Sequence, residues 1–190
     1  MVNFPPLAPA SNWFSLFLKA LVSGSSEEVA IIEANICLPS SKDFGRFRLE
    51  DKHGRILTLS VAIEGGGRQL RTIDKIPELE LSGHGDWRKI HSRAIESCLG
   101  SKPYYRHLEG EITRIIDDKS LQSLRDFNMA IFRTLKTFLL GNIREQQLPE
   151  LLSNPLLRER GKEIGMKINP DVSLLQAISE HGRETLLGIL

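Results

Sequence analysis

The stretch from His84 to His107 reads HGDWRKIHSRAIESCLGSKPYYRH, and it separates a sheet-forming part of the chain from a mainly helical part. Asp86 is a residue type that caps helices, because its side-chain oxygen can accept a hydrogen bond from a backbone N–H of the first turn. Four residues then follow one another at helical spacing: Trp87, His91, Ile95 and Cys98. The stretch therefore predicts a helix that begins beside Asp86 and has one apolar face.

His91 has two interpretations within this helix. Because it lies on the apolar stripe, its imidazole is expected to face apolar neighbours rather than open water. Such a histidine is either a base that faces a ligand or a hydrogen-bonded core residue, and a single histidine without an identified partner is more often the latter. The density of polar side chains around it still makes this stretch the place where we expect a site.

The chain before residue 86 predicts a small mixed sheet. A βαβ unit with two parallel strands is expected over residues 2–34. Residues 46–51 and 55–63 alternate apolar and polar side chains, which predicts a hairpin. A further extended segment, residues 73–81, contains Pro77 and belongs at a sheet edge.

The chain after residue 86 predicts further helices. Pro103 opens a short helix, and Ser120 caps a long helix over residues 121–140. A last apolar helix follows Asn169 and is interrupted at Gly182. Most of this half of the chain is therefore expected to be helical.

Length and composition fit a single domain of this kind. The chain has 190 residues, of which 41% are hydrophobic and 26% charged, as is typical of a globular protein. We expect one domain over residues 1–190, with a sheet-forming part (1–85) and a mainly helical part (86–190). The predicted fold class is α/β: an N-terminal βαβ unit and hairpin form a small mixed sheet, followed by a mostly α-helical C-terminal half.

Charge and cysteine content exclude several function classes. The 25 Lys and Arg residues balance 24 Asp and Glu residues, so no overall field favours nucleic acid. The two cysteines form neither a disulfide framework nor a Cys-x-x-Cys pair. The apolar run at residues 13–22 is too short to span a bilayer. We therefore predict a cytoplasmic protein with no nucleic-acid partner and no membrane span, and its size is compatible with a homodimer.

Several short motifs, in their order and spacing, resemble the WbqC-like proteins, which are encoded among bacterial surface-polysaccharide biosynthesis genes. The motifs are Leu57-Thr58-Leu59-Ser60-Val61, His84 to Trp87 with His91, Pro103-Tyr104-Tyr105, Asp126-Phe127-Asn128, and the ending Asn169-Pro170-Asp171-x-Ser173-Leu174 with Gly182. Together they cover nearly the full length of the chain. The resemblance implies a transferase or accessory enzyme that modifies a sugar or a sugar-linked intermediate.

The chain departs from the family pattern at residues 40–46. Family members typically carry a Lys-x-x-Tyr-Arg-Asn-Arg type segment there, and this chain retains only the final Arg46, with Lys42 as a substitute point charge. A guanidinium can hold a phosphate or carboxylate through two parallel N–H bonds, so Arg46 is predicted to bind anionic oxygens. Ser60 also replaces the usual proline of its strand. The segment at residues 40–46 indicates weakened binding of anions, the change at Ser60 is expected to affect local geometry rather than chemistry, and the chain is interpreted as a divergent member.

The first functional hypothesis is an enzyme whose small-molecule substrate is a sugar, a nucleotide sugar, or an acyl or aminoacyl donor. His91 is predicted to act as the general base, and Glu33 to orient a hydroxyl or the imidazole. The predicted substrate-binding residues are Arg46, Trp87, Tyr104, Asn128 and His84. The sequence identifies no cofactor, and without a His-Glu-x-x-His pattern we predict no metal site.

Each of the less certain binding residues also fits a structural role. Tyr104 belongs to a Pro-Tyr-Tyr helix start, which is more often a packing anchor than a platform for a sugar or base. Asn128 is more often a polar tie between helices than a catalytic group. His84 could converge with His91, although a flexible loop is an ordinary place for such a residue.

The second hypothesis is a non-catalytic ligand-binding or assembly protein that retains the fold with a degraded site. The substitutions at residues 40–46 favour it, whereas the retention of Glu33, Arg46 and His91 favours the enzyme. The geometry discriminates between the two hypotheses. An enzyme is expected to hold these three side chains in one cleft, within about 8 Å of each other, with Tyr104 at the rim.

Overall fold

The computed structural model describes residues 45–65, 79–141 and 172–187. Within these ranges a two-stranded sheet precedes a mostly helical part, which confirms the predicted α/β order of a hairpin followed by helices. The elements are β1 (Arg46–Glu50), β2 (Ile56–Ser60), α1 (Trp87–Leu99), a 3-10 turn (Tyr105–His107), α2 (Glu109–Asp117), α3 (Leu124–Leu140) and α4 (Leu174–Leu187). The βαβ unit predicted over residues 2–34 lies outside the described residues.

The hairpin is antiparallel, as predicted, and its turn is organised by Asp51. The Asp51 carbonyl accepts a hydrogen bond from Gly54 N at 3.0 Å, and its carboxylate accepts from the N–H groups of His53 at 2.8 Å and Arg55 at 3.0 Å. The bond from the Arg55 backbone is the main cause that lowers the pKa of Asp51 to about 2. Gly54 has φ 76°, which a side chain would strain, so glycine suits this position.

The outer edge of β1 is bound to the start of α4. Ser173 N donates to the carbonyl of Arg48 at 2.8 Å, and Glu50 N donates to Gln176 Oε1 at 2.7 Å. These bonds satisfy backbone groups of β1 that β2 does not reach. The C-terminal helix and the hairpin are therefore one packed unit.

The helices pack in sequence order, α1 on α2, α2 on α3 and α3 on α4. The apolar stripe predicted on α1 is buried and consists of Trp87, His91, Ile95 and Cys98. On α3 the side chains of Leu124, Phe127, Ile131 and Leu135 are buried at helical spacing, whereas Phe138, which continues this spacing, is half-buried. Burial of these faces removes apolar area from water and is the main stabilising contribution of the helical part.

The predicted start of the long helix is wrong. α3 begins at Leu124 rather than Leu121, because Ser123 caps it instead of Ser120. The Ser123 hydroxyl accepts a hydrogen bond from a backbone N–H of the first turn at 3.0 Å. The residues before it are hydrogen-bonded to residues 79–81, so they are not available to a helix.

The short helix predicted to open at Pro103 starts two residues later and is a 3-10 turn. The 3-10 turn begins at Tyr105, and α2 follows it. The neighbouring Tyr104 ring lies against the kink of α4 at Gly182, where φ is 70° and ψ is 178°. A Cβ at Gly182 would come within 2.7 Å of two atoms of the Tyr104 ring. The predicted interruption of the last helix at Gly182 is confirmed.

We expect Gly182→Ala to lower the free energy of unfolding by about 1–3 kcal/mol, because a left-handed backbone and an overlap with the Tyr104 ring act together. Chemical denaturation at neutral pH measures this loss. Gly110→Ala is the matched control, since Gly110 lies in α2 and a Cβ there would meet nothing within 4 Å. The control is expected to be neutral or stabilising, and equal losses in the two variants would contradict the prediction.

Candidate functional site

A cleft of about 760 Å³ lies at the N-terminal end of α1. We call residues 80–85 its first wall and residues 117–122 its second wall, and the first turn of α1 lies between them. The walls are joined at one end, where Leu81 N donates to the carbonyl of Gln122 at 2.6 Å. The volume is in the range of sites for small molecules.

Trp87 forms the base of the cleft and holds the first wall. Its Nε1–H donates to the carbonyl of Ser82 at 2.9 Å. The indole is only 8% exposed, and it packs edge-on against His91 at 5.1 Å and Phe127 at 6.0 Å between ring centroids. The guanidinium of Arg88 lies over the same indole, 4.6 Å from its centroid. Trp87 therefore shapes the cleft, and little of its ring is open for stacking on a ligand.

Arg88 joins α1 to the second wall. Its Nη1 donates to the carbonyl of Ile116 at 2.6 Å and its Nη2 to the carbonyl of Leu121 at 3.0 Å. Burial lowers the pKa of the Arg88 guanidinium, while the negative charges of Asp118 and Asp117 act in the opposite direction. A guanidinium at the C-terminal end of α2 is also favoured by the helix dipole.

Side chains of both charges line the cleft. The carboxylates of Glu64, Glu80, Asp86 and Asp117 lie there, together with the cations of Arg88, Lys89 and Lys119. Carboxylates accept hydrogen bonds from hydroxyl groups, and Lys and Arg side chains bind anionic oxygens. The lining therefore offers partners for the hydroxyl groups of a ligand and also for an anionic group of the same ligand.

The first wall presents His84 to the cleft, in an exposed position between two glycines. His84 N donates to Ser82 Oγ at 3.2 Å, which holds the turn before α1. Asp86 occupies the N-cap position as predicted, but its carboxylate accepts no capping hydrogen bond. It lies instead 3.7 Å from Lys89 Nζ. The Asp86 side chain therefore does not cap the N–H groups of the first turn of α1, which borders the cleft.

His91 lies behind Trp87 and does not line the cleft. It is 3% exposed, and burial lowers its pKa to about 4, partly offset by a hydrogen bond with the Ser60 backbone. The imidazole is therefore neutral at physiological pH and bound to the end of β2. This environment matches the core interpretation of His91, and a catalytic role for it stays a prediction.

The structure brings Arg46 near the same end of the hairpin. Arg46 pairs with Ser60 across the strands, and Ser60 is the residue whose backbone bonds to His91. Neither Arg46 nor His91 lines the cleft. Glu33, the predicted partner of the imidazole, lies outside the described residues.

The remaining two predicted binding residues are in other places. The Tyr104 ring lies on Gly182, and Tyr104 N donates to the carbonyl of Ser179 at 3.0 Å, so it anchors the 3-10 turn to α4. Asn128 is fully buried on α3. Neither lines the cleft, so of the predicted site residues the structure brings together His84 and Trp87 there.

Sequence reasoning did not identify the second wall or the role of Arg88. Arg88 follows Trp87 directly, and this adjacency was the one available signal. Asp117 is the last residue of α2 and Lys119 lies in the polar turn that follows, which is an ordinary surface pattern. Only the tertiary structure shows that this turn faces residues 80–85.

Two general features of the described ranges bear on function. Within residues 45–65, 79–141 and 172–187, no three His, Cys, Asp or Glu side chains are grouped so that they could hold a metal ion. None of the helices in the same ranges has both the length and the apolar composition needed to cross a bilayer.

The described part of the chain is a hairpin packed on helices, with a polar cleft whose volume is in the range of small-molecule sites. The chain belongs to the WbqC-like protein family, and the match covers residues 28–160. This range includes both strands, α1 to α3 and every residue that lines the cleft. No curated protein and no solved structure matches the chain.

Proposed function

We propose that this WbqC-like protein is a transferase or accessory enzyme that acts on a sugar or a nucleotide-sugar-linked intermediate of surface-polysaccharide biosynthesis. The observation that carries the proposal is the cleft itself. It is built on His84 and Trp87, two residues of the motif that resembles the family, and it is lined by carboxylates. Sugar hydroxyls are the donors that such a lining recognises.

The side chains of the cleft divide into binding and reactive roles. Glu80 and Glu64 accept hydrogen bonds from sugar hydroxyls, and Lys119 on the second wall balances part of their charge. His84 is the imidazole that borders the cleft, and histidine is well suited to take a proton from a hydroxyl near neutral pH. We therefore assign the proton transfer to His84 in preference to the buried His91.

A non-catalytic ligand-binding or assembly protein is the second candidate, and the environment of His91 favours it. An imidazole that is 3% exposed, with a pKa of about 4, is a weak base. In this alternative the cleft binds the same class of ligand but transfers nothing. Product formation from a bound donor and acceptor would exclude it.

A thermal-shift screen tests the ligand class. We expect free sugars or nucleotide sugars to raise the melting temperature, because a ligand that prefers the native state stabilises it. Glu80→Gln and His84→Ala are each expected to weaken the affinity about tenfold, as the loss of one charge-assisted hydrogen bond does. Acyl and aminoacyl donors complete the panel.

The matched control for this screen is Glu96→Gln. Glu96 is an exposed residue of α1 that does not line the cleft. The control is expected to bind as the wild type does. A panel without any shift, or a shift that Glu80→Gln and His84→Ala leave unchanged, would remove the cleft from the proposal.

We also propose that the protein acts in the cytoplasm and that its partners are small molecules. The absence of a spanning helix in the described ranges is compatible with this setting. A homodimer stays a prediction from chain size alone. Light scattering coupled to size-exclusion chromatography measures the mass directly, and a monomer mass would contradict it.

A further inference from the structure

We propose that Arg88 is a positioning residue that ties the second wall to α1 and so fixes where Asp117 and Lys119 stand in the cleft. The inference rests on the proposed function only for its consequence for ligand binding. Its structural part can be tested without any ligand.

The two hydrogen bonds of Arg88 enclose the second wall. One bond goes to the carbonyl of Ile116, which directly precedes the second wall. The other goes to the carbonyl of Leu121, near the end of the same wall. Asp117 and Lys119 lie between these two fixed carbonyls and both line the cleft. Arg88 is thus the side chain of α1 that holds this wall at two carbonyls, and Ser92 Oγ adds a weaker contact at 3.4 Å to Asp117 Oδ1.

Trp87, the residue before Arg88, holds the first wall in a similar way. Trp87 holds Ser82 of the first wall through its Nε1–H, and Arg88 lies over the indole at 4.6 Å. Two consecutive residues thus reach the two walls, and the contact between a cation and an aromatic face links them. The first two residues of α1 therefore fix the distance between the two walls of the cleft.

Only arginine fits this position. A guanidinium is planar and carries several donors in a fixed fork, so it can reach two carbonyls while one face lies on an aromatic ring. A lysine ammonium is a point charge that cannot reproduce this arrangement. Because Nη1 and Nη2 of Arg88 donate to backbone carbonyls of the second wall, we assign Arg88 a positioning role, although it also lines the cleft.

Amide hydrogen exchange of Arg88→Lys tests the proposal. The N–H groups of Asp118, Ser120 and Leu121 are hydrogen-bonded within or next to the second wall, at 3.3, 2.8 and 3.3 Å. We expect the exchange of these amides to become at least tenfold faster in the variant, because a wall that is no longer held by Arg88 opens more often. Amides in the middle of α3 should keep their wild-type rates.

Arg93→Lys is the control, because Arg93 is an exposed residue of the same helix that does not line the cleft. Arg88→Met is a second variant that removes the charge while keeping an unbranched side chain. Unchanged exchange at residues 117–122 in Arg88→Lys would overturn the proposal. An equal acceleration throughout α3 would overturn it as well, because it would indicate global destabilisation.

Ligand binding gives a second measurement, with N-acetylglucosamine and UDP-N-acetylglucosamine as probes. If the wild type binds either probe, Arg88→Lys is expected to raise the Kd at least tenfold, whereas Arg93→Lys is expected to leave it unchanged. An unchanged Kd would overturn the positioning role. If the wild type binds neither, the proposed function loses support, and the exchange experiment still decides the role of Arg88.

Discussion

Phe127→Ala is expected to lower the free energy of unfolding by about 3–5 kcal/mol, the range for removing a buried aromatic ring. Phe127 is fully buried on α3 and contacts the edge of the Trp87 indole, with 6.0 Å between ring centroids and 72° between planes. Truncation removes apolar contacts and leaves a cavity beneath the base of the cleft. The loss is large because the surrounding structure relaxes only partly into the space that a fully buried ring leaves.

Urea unfolding followed by circular dichroism measures this loss. Phe127→Leu is the matched control, because it keeps most of the side-chain volume and is expected to cost about 1–2 kcal/mol. A loss below about 1 kcal/mol in Phe127→Ala would show that the ring is not tightly packed. Unfolding must be compared at equal slope against denaturant, so that the difference reports stability rather than compactness.

The same substitution has a consequence for the cleft. Trp87 holds the first wall through Ser82, so a loosened indole also loosens that wall. Fluorescence can follow this in a Trp13→Phe background, because the chain has two tryptophans and Trp87 then reports alone. We expect a red-shifted emission and stronger quenching by acrylamide in the native Phe127→Ala protein. Emission identical to that of the Trp13→Phe parent would show that Phe127 stabilises the core without affecting the position of Trp87 in the cleft.

The helices could be predicted because their cores repeat at helical spacing. All four residues of the predicted stripe on α1, from Trp87 to Cys98, are buried, and on α3 Leu124, Phe127, Ile131 and Leu135 are buried at helical spacing. The start of α3 could not be predicted in the same way. Ser120 and Ser123 both precede an apolar run, and the choice between them depends on hydrogen bonds to residues 79–81 that no local pattern records.

The site was predictable only in its local part. His84 and Trp87 stand within one short stretch, and both border the cleft. The second wall lies about thirty residues further along the chain. Hydrophobic periodicity reports local secondary structure, so it does not reveal contacts between residues at such a separation. Arg88 shows the limit most clearly, since its partners are backbone carbonyls, which every residue possesses.

His91 shows a different limit. Its position on an apolar stripe predicted burial correctly, and the structure adds its bond to the Ser60 backbone. A sequence cannot distinguish a buried imidazole that reaches a ligand from one that reaches a strand. The distinction matters for the proposed function, which assigns the proton transfer to His84 because His84 lines the cleft.

Acidification from pH 6.5 to pH 4 is expected to cost the protein about 3 kcal/mol of stability through His91 alone. Burial lowers the pKa of this imidazole from 6.5 to about 4 in the folded state. Between these two values the unfolded chain binds a proton at this position and the folded chain does not. Stability therefore rises with pH in this window, is fully present above pH 6.5, and shows no further loss from this group below pH 4.

Urea unfolding at pH 7, 6, 5 and 4 measures the effect, with His91→Gln as the reference. The glutamine amide can still donate to the Ser60 backbone, and it does not titrate. Subtracting the two stability curves removes the contribution of every other ionisable group, the carboxylates included. We expect the free energy of unfolding of the wild type, relative to that of His91→Gln, to fall by about 3 kcal/mol from pH 7 to pH 4. The reason is that only the wild type has an imidazole at this position that must bind a proton on unfolding.

Parallel curves for the wild type and His91→Gln would contradict this expectation and would mean that the folded state accepts a proton at His91 without cost. Such an imidazole would be accessible, and its role as the catalytic base would gain support. A shrinking difference would instead establish a neutral, poorly basic imidazole that holds α1 to the end of β2. Proton transfer at the cleft would then depend on His84, and His84→Ala should abolish turnover while leaving the pH dependence of stability through His91 intact.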